Sequence, residues 1–229
     1  DHLSSRGEFY TCYTPYQPEV SQGTLQGIYE FQSMMCELLA MDVVNASMYD
    51  GASALAEAAV LAIRHKQKKN VLVSKTVHPE YREVLSTYLQ ELDIKIIEIE
   101  MEDGITSVSD LESRIDNNSA CVLVQTPNFF GCLEETEELV GLTHKNEALL
   151  VACVNPMSLG IIKPPGEYGA DIAVGDIQAL GNYVNYGGPH AGFFATGKEF
   201  MRKMPGRLAG ATTDTKGRRA FTLTLQTRE

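Results

Sequence analysis

Four short stretches of this 229-residue chain place chemically able side chains beside apolar runs. Asp50-Gly51-Ala52-Ser53-Ala54 sets small residues and a hydroxyl directly before an Ala-rich run. Free N–H groups at a helix start attract an anion such as a phosphate ester. A plain capped helix, with Ser53 as its cap, is the other reading of the same residues. His78 follows Val71-Leu72-Val73, Asn128 follows Ala120 to Val124, and Asn155 follows Leu149 to Val154. At His78 and Asn128 a ligand contact competes with a loop-cap or turn role.

Other chemistries lack their patterns. Neither GxGxxG nor a P-loop occurs, and Gly187-Gly188-Pro189-His190-Ala191-Gly192 precedes a strand instead of opening a helix, so it reads as a tight turn. The five histidines (His2, His65, His78, His144, His190) show no metal-ligand spacing, and no metal site is expected. No GxSxG elbow supports a Ser-His-Asp site.

The elements that must position these residues alternate. Ser21 is the expected cap of a helix carrying Leu25, Ile28, Phe31, Met35, Leu38 and Leu39 at helical spacing. The Ala-rich run from Ala54 to about His65 is the next helix. Pro79 opens a helix from Glu80 to about Leu92, Ser109-Asp110-Leu111-Glu112 fits a capping box, and Glu134 to Lys145 is a further helix. Strands are expected at Val71–Val73, Ile94–Ile99, Ala120–Val124, Leu149–Val154, Asp171–Val174, Gly192–Ala195 and Phe221–Leu225. Strands separated by helices imply βαβ units, so the fold class is α/β: three αβα layers around a mostly parallel sheet. Ligands in such folds sit at the carboxyl ends of the strands, here Ser74–His78, Gln125–Asn128, Val154–Ser158 and Gly175–Asn182.

Composition narrows the partners. Lys and Arg total 19 against 30 Asp and Glu, a net charge of −11, which argues against a nucleic-acid scaffold. No apolar run is long enough to span a bilayer. The chain opens Asp1-His2-Leu3-Ser4-Ser5, without an initiator Met or an apolar leader, so a piece of a longer cytoplasmic protein is expected. Five cysteines (Cys12, Cys36, Cys121, Cys132, Cys153) without a CxxC pair read as reduced thiols. Residues 1–229 are expected to form one large domain, led by an extended segment over 1–20.

Together the strand-end residues suggest a pyridoxal-phosphate fold. The Ser53 helix start would hold phosphate, His78 would stack on the pyridine ring, and Asn128 would reach the ring hydroxyl. Position 155 is where an acid would pair with the ring nitrogen.

Longer stretches then carry a resemblance. They are Tyr13-Thr14-Pro15-Tyr16-Gln17-Pro18-Glu19-Val20-Ser21-Gln22-Gly23, Asn45-Ala46-Ser47-Met48-Tyr49-Asp50-Gly51, Lys163-Pro164-Pro165-Gly166-Glu167-Tyr168-Gly169-Ala170-Asp171-Ile172, the Gly187 turn and Arg218 to Glu229. With them the whole chain resembles the glycine decarboxylase (P-protein) family of the glycine cleavage system. Within it, the likeness is to subunit 1 of the split bacterial form, cut to its central large domain. The resemblance implies the aspartate-aminotransferase-like fold and a holoenzyme that decarboxylates glycine and passes the aminomethyl group to the lipoyl arm of H-protein. It also implies a hetero-oligomer with two copies each of subunits 1 and 2, and a cofactor lysine that belongs to subunit 2.

Two departures agree with that division. The lysine position falls near Gln178, and no lysine lies between Lys163 and Lys198. An amide nitrogen forms no imine. Asn155 stands where the resemblance expects Asp, and a neutral amide cannot hold a pyridinium proton by charge. His78, Asn128, Asn155 and Ser53 are therefore expected to line a vestigial pocket. Thr14, Tyr16, Gln17 and Glu19 are the expected cleft or interface residues beside the partner's cofactor. Two other readings fit the same residues: an autonomous pyridoxal-phosphate aminotransferase or lyase, and a purely structural subunit. Surface left bare by the missing partner or terminal regions is expected to favour self-association.

Overall fold

The computed structural model describes residues 2, 5–7, 14–184, 186 and 190–224. Cys12, Tyr13, the Gly187–Pro189 turn and Leu225–Glu229 lie outside the described residues. In chain order come α1 (Gln22–Leu39), β1 (Val43–Val44), α2 (Gly51–Lys66), β2 (Asn70–Ser74), α3 (Pro79–Leu89) and β3 (Lys95–Ile99). Next are β4 (Met101–Glu102), β5 (Ile105–Thr106), α4 (Val108–Arg114), β6 (Ser119–Gln125), α5 (Thr136–Lys145) and β7 (Leu149–Cys153). The last are α6 (Pro165–Tyr168), β8 (Ile172–Asp176), β9 (Gly192–Thr196), β10 (Leu208–Thr213) and β11 (Arg219–Thr224).

A seven-stranded sheet runs in the order β1-β9-β8-β7-β6-β2-β3. The five strands from β3 to β8 in that order are mutually parallel, while β9 runs antiparallel to both β8 and β1. The β8–β9 connection carries only a single 3-10 turn, Gln178–Leu180, among its described residues. A parallel return needs a crossover of a dozen or more residues, usually helical, so β9 comes back antiparallel.

Strand residues alternate between two cores, as the pleat requires. Val71, Val73, Leu123, Val151, Val174 and Phe194 face the Ala-rich helix α2. Leu72, Val122, Val124, Leu150, Ala173 and Phe193 face the opposite layer, with Met35 and Leu39 of α1 and Leu139 of α5. Phe193 and Phe194 are both fully buried, one on each face. Burying such a side chain stabilises by about 1.5–3 kcal/mol. A small third cluster, Leu25, Ala209 and Phe221, seats the antiparallel β10–β11 hairpin on α1.

Several boundaries differ from the sequence expectation. Asp50, not Ser53, is the N-cap of α2: its backbone is extended, and its carboxylate accepts the Ser53 N–H at 2.7 Å. Ser107, not Ser109, caps α4 by accepting the Asp110 N–H. Ser21 stands at the N-cap of α1 without a side-chain capping bond. α5 begins at Thr136 instead of Glu134, because the Glu134 side chain is drawn into a buried polar network. Pro18–Val20 form a 3-10 turn inside the segment expected to be extended.

Candidate functional site at the carboxyl edge of the sheet

A cleft of about 240 Å³ opens where β6, β7 and β8 end. His78 and Tyr81 line it from the start of α3, and Gln125 from the end of β6. Cys153, Asn155, Asp176, Gln178 and His190 complete its polar lining. Three of the residues named from sequence therefore meet here: His78, Asn155 and Gln178.

Each of those three is already engaged. The His78 ring Nδ1 accepts the Glu80 N–H at 3.2 Å and so caps α3, whose first residue, Pro79, has no N–H to offer. The same ring lies edge-on to Phe129 at 4.9 Å. Asn155 Oδ1 accepts the Met157 N–H at 3.0 Å, capping the 3-10 turn Pro156–Gly160. Gln178 Nε2 donates to the Asn182 carbonyl at 2.6 Å.

Asn128 is elsewhere. Its Nδ2 donates to the Gly104 carbonyl and to Glu134 Oε1, each at 2.8 Å. Its Oδ1 accepts the N–H groups of Phe130 and Cys132 at 3.0 and 3.1 Å. Buried and saturated, Asn128 orders the 126–134 loop and does not line the cleft. The expectation that it reaches into a pocket is corrected: four local partners use up its amide.

The start of α2 is closed as well. Ser53 is buried, and its hydroxyl is shared with the Asp50 backbone in a reciprocal capping box. The dipole at this helix start is thus answered by the chain's own carboxylate. A Cβ on Gly51 would lie 2.6 Å from the Tyr81 hydroxyl and 3.1 Å from the Asp176 nitrogen, so the helix begins in contact with the cleft floor. Burial pushes the Tyr81 phenol well above its ordinary range, with Cys153, Asp176 and Asp50 adding to the effect. Burial first, and Asp176 second, pushes the Cys153 thiol up to about 12. Both groups stay protonated at neutral pH.

Sequence reading did not single out the Asp176–His190 pair. His190 Nδ1 lies 2.9 Å from Asp176 Oδ2, and Asp176 Oδ1 accepts the Gln178 N–H at 2.8 Å. Asp176 falls inside the strand-end range Gly175–Asn182, but its partner arrives only because β9 returns antiparallel and starts at the same edge. Thr14, Tyr16, Gln17 and Glu19 line none of this cleft. Tyr16 is exposed and accepts a hydrogen bond from Arg207 Nη2 at 2.9 Å.

Residues 1–229 match the family model described as the glycine cleavage system P-protein. The chain belongs to the P-protein family. A Bacillus cytotoxicus relative named "Probable glycine dehydrogenase (decarboxylating) subunit 1" is 56% identical over 229 residues, which are 100% of this chain and 51% of the relative. The chain thus spans about half the length of the curated relatives it matches. The crystal structure of a glycine decarboxylase (P-protein) of the glycine cleavage system, in inhibitor-bound form, superposes with a TM-score of 0.94 at 52% identity. That match covers 98% of this chain and 51% of the other. A sphingosine-1-phosphate lyase from Burkholderia pseudomallei, at 11% identity and TM-score 0.66 over 92% of this chain and 52% of its own, shows the fold alone. This P-protein chain shares its mostly parallel α/β fold with both of those structures, the fold class its sequence implied. No helix among the described residues is long and apolar enough to cross a membrane.

Proposed function

We propose that this chain is the half of a split glycine decarboxylase that does not hold the cofactor. In this reading its longer parent subunit pairs with subunit 2, which supplies the cofactor lysine, in a cytoplasmic complex with two copies of each. The holoenzyme decarboxylates glycine and passes the aminomethyl group to the lipoyl arm of H-protein.

The observation that carries the reading is the content of the cleft. Pyridoxal phosphate needs an amine for its aldehyde, an acid for its ring nitrogen and an open anion site for its phosphate. Here Gln178 and Asn155 are amides bound to neighbouring backbone, and the Asp50 carboxylate already answers the helix start. Added phosphate would meet like charge from Asp50 and Asp176. The residues do not fit the group, and no step is assigned to them.

The surroundings support a partner. Exposed apolar side chains leave the carboxyl ends of four parallel strands: Tyr49 after β1, Phe129 and Phe130 after β6, Met157 and Ile161 after β7, Tyr183 and Val184 after β8. Ile161 is 93% exposed and Tyr183 80%. So many large apolar groups on one edge are what a subunit interface requires.

The test is borohydride reduction of the full-length chain with added pyridoxal phosphate, followed by peptide mapping and by glycine decarboxylation assays with subunit 2 and H-protein. The expected result is no stoichiometric imine on this chain and activity only with both subunits present. One reduced lysine at unit stoichiometry would establish an autonomous enzyme instead. Full activity of subunit 2 alone would reduce this chain to a structural role.

A further inference from the structure

The cleft that does not fit the cofactor is furnished for something smaller. We infer that it binds a small α-amino acid as a zwitterion. Its carboxylate is met by the side-chain donors of His78, Tyr81, Gln125 and Asn155, and its ammonium by Asp176 and Gln178. The site is this chain's own and needs no cofactor, so it stands apart from the role proposed for subunit 2.

The donors are fixed by the bonds that hold the strand ends. Gln125 Oε1 accepts the His78 N–H at 2.9 Å. Asn155 Oδ1 accepts the Met157 N–H at 3.0 Å. An amide whose oxygen is bound to an N–H has its NH2 group set, and turning it around would lose that bond. Among the described residues neither NH2 group has a partner. The His78 ring accepts the Glu80 N–H at Nδ1, which puts the ring proton on Nε2. The Tyr81 hydroxyl has no hydrogen-bond partner among the described residues either. All four side chains line the same cleft.

The acceptors come from the end of β8. Asp176 Oδ1 accepts the Gln178 N–H at 2.8 Å, and Oδ2 lies 2.9 Å from His190 Nδ1. A carboxylate offers about four acceptor positions, so room for a further donor remains. Gln178 gives its Nε2 to the Asn182 carbonyl, which leaves its Oε1 to accept.

The balance of donors and acceptors selects the ligand. No lysine or arginine lines the cleft among the described residues, so a bare anion would find donors but no cation. A bare cation would find Asp176 and leave the donor groups unanswered, and a donor stripped of water without a new partner is costly. A carboxylate and an ammonium a few bonds apart answer both sets. The volume of about 240 Å³ is the share of roughly eight waters at ~30 Å³ each, room for an amino acid with a short side chain.

The test is calorimetric binding of glycine to the full-length subunit alone, with acetate and methylamine as probes that carry one charge each. One glycine per chain is expected, held at least about 10-fold tighter than either probe, since each lacks one set of charged hydrogen bonds. Gln125→Glu and Asn155→Asp keep the oxygens that accept the His78 and Met157 N–H groups and exchange each NH2 for an acceptor. Each is expected to weaken glycine roughly 10- to 100-fold, the value of one hydrogen bond to a charged group, with the unfolding midpoint unchanged. Asp176→Asn is expected to weaken glycine and methylamine and to spare acetate. Absence of a saturable site, glycine bound no better than acetate, or equal binding by wild type and both amide variants would overturn the inference. Displacement of glycine by stoichiometric cofactor-free subunit 2 would give the cleft to a partner side chain and overturn it too. Decarboxylation by the two-subunit pair is read separately: its absence would overturn the proposed function and leave the binding result standing.

Discussion

Glu134→Gln is the most informative single change in this chain, because one atom is exchanged inside a buried network that is fully resolved. Glu134 Oε1 accepts from Thr76 Oγ1 at 2.7 Å and from Asn128 Nδ2 at 2.8 Å, and Oε2 accepts the Thr106 N–H at 2.8 Å. Ser74, Thr76 and Thr106 share hydroxyl bonds behind it. A glutamine must set its NH2 against one side. The less costly choice faces Thr106, whose backbone N–H is then buried opposite another donor, at about 1–3 kcal/mol. The two remaining bonds lose their charge assistance, and relief from burying a charge returns part of that cost. The net expectation is a destabilisation of about 2–4 kcal/mol. For a chain of this size that is on the order of 5–15 °C in Tm. Urea and thermal unfolding of the full-length chain measure it, with Asn128→Ala as a companion that leaves the Phe130 and Cys132 N–H groups unanswered. A Glu134→Gln shift under about 2 °C would refute the network account. A change in cofactor content of the holoenzyme with Asn128→Ala, at unchanged stability, would return Asn128 to the ligand site from which its bonding has removed it.

Three further expectations follow from single contacts. Asp50→Ala should cost about 0.5–2 kcal/mol through loss of the α2 cap, and Asp50→Asn much less, since the amide oxygen still accepts the Ser53 N–H; denaturant midpoints decide it. Asp116 is held below the usual carboxylate range, first by the Ser119 hydroxyl and then by the Asn70 amide. Because its folded-state pKa is depressed, its contribution is complete above the unfolded value of about 3.9 and is lost as pH falls through the lower folded value. Stability measured against pH from 5 downward should fall less steeply in Asp116→Asn. Cys121 and Cys153 are buried, and burial raises both thiols, so iodoacetamide at pH 8 should modify neither until the chain unfolds. Modification of Cys153 in the native state would mean that the cleft floor opens.

Much of the architecture was legible because burial imposes patterns. The strands at Val71, Ala120 and Leu149 are covered on both faces, so they read as unbroken apolar runs. α1 and α2 announce themselves by apolar spacing and alanine density. The β10–β11 hairpin was half missed, because Leu208 to Thr213 carries glycine and alanine where a strand signal needs branched or aromatic residues. β1, only two residues long, has no pattern to read.

Family membership, the parallel strands and the absence of a lysine between positions 163 and 198 were determined by the sequence alone. Each is a local property: a motif, a run of apolar residues, a missing amine. The fate of the polar side chains was decided only by the tertiary structure. Asn128 and Asn155 look alike beside their strands, yet one is spent in a buried network and the other caps a turn at the cleft. Asp50 stands three residues before Ser53, the expected cap of the anion site, and its own carboxylate occupies that helix start. Tyr16 meets Arg207 across 191 residues of chain. A hydrogen bond depends on where two atoms end up within about 3 Å, and that is set by how the layers pack.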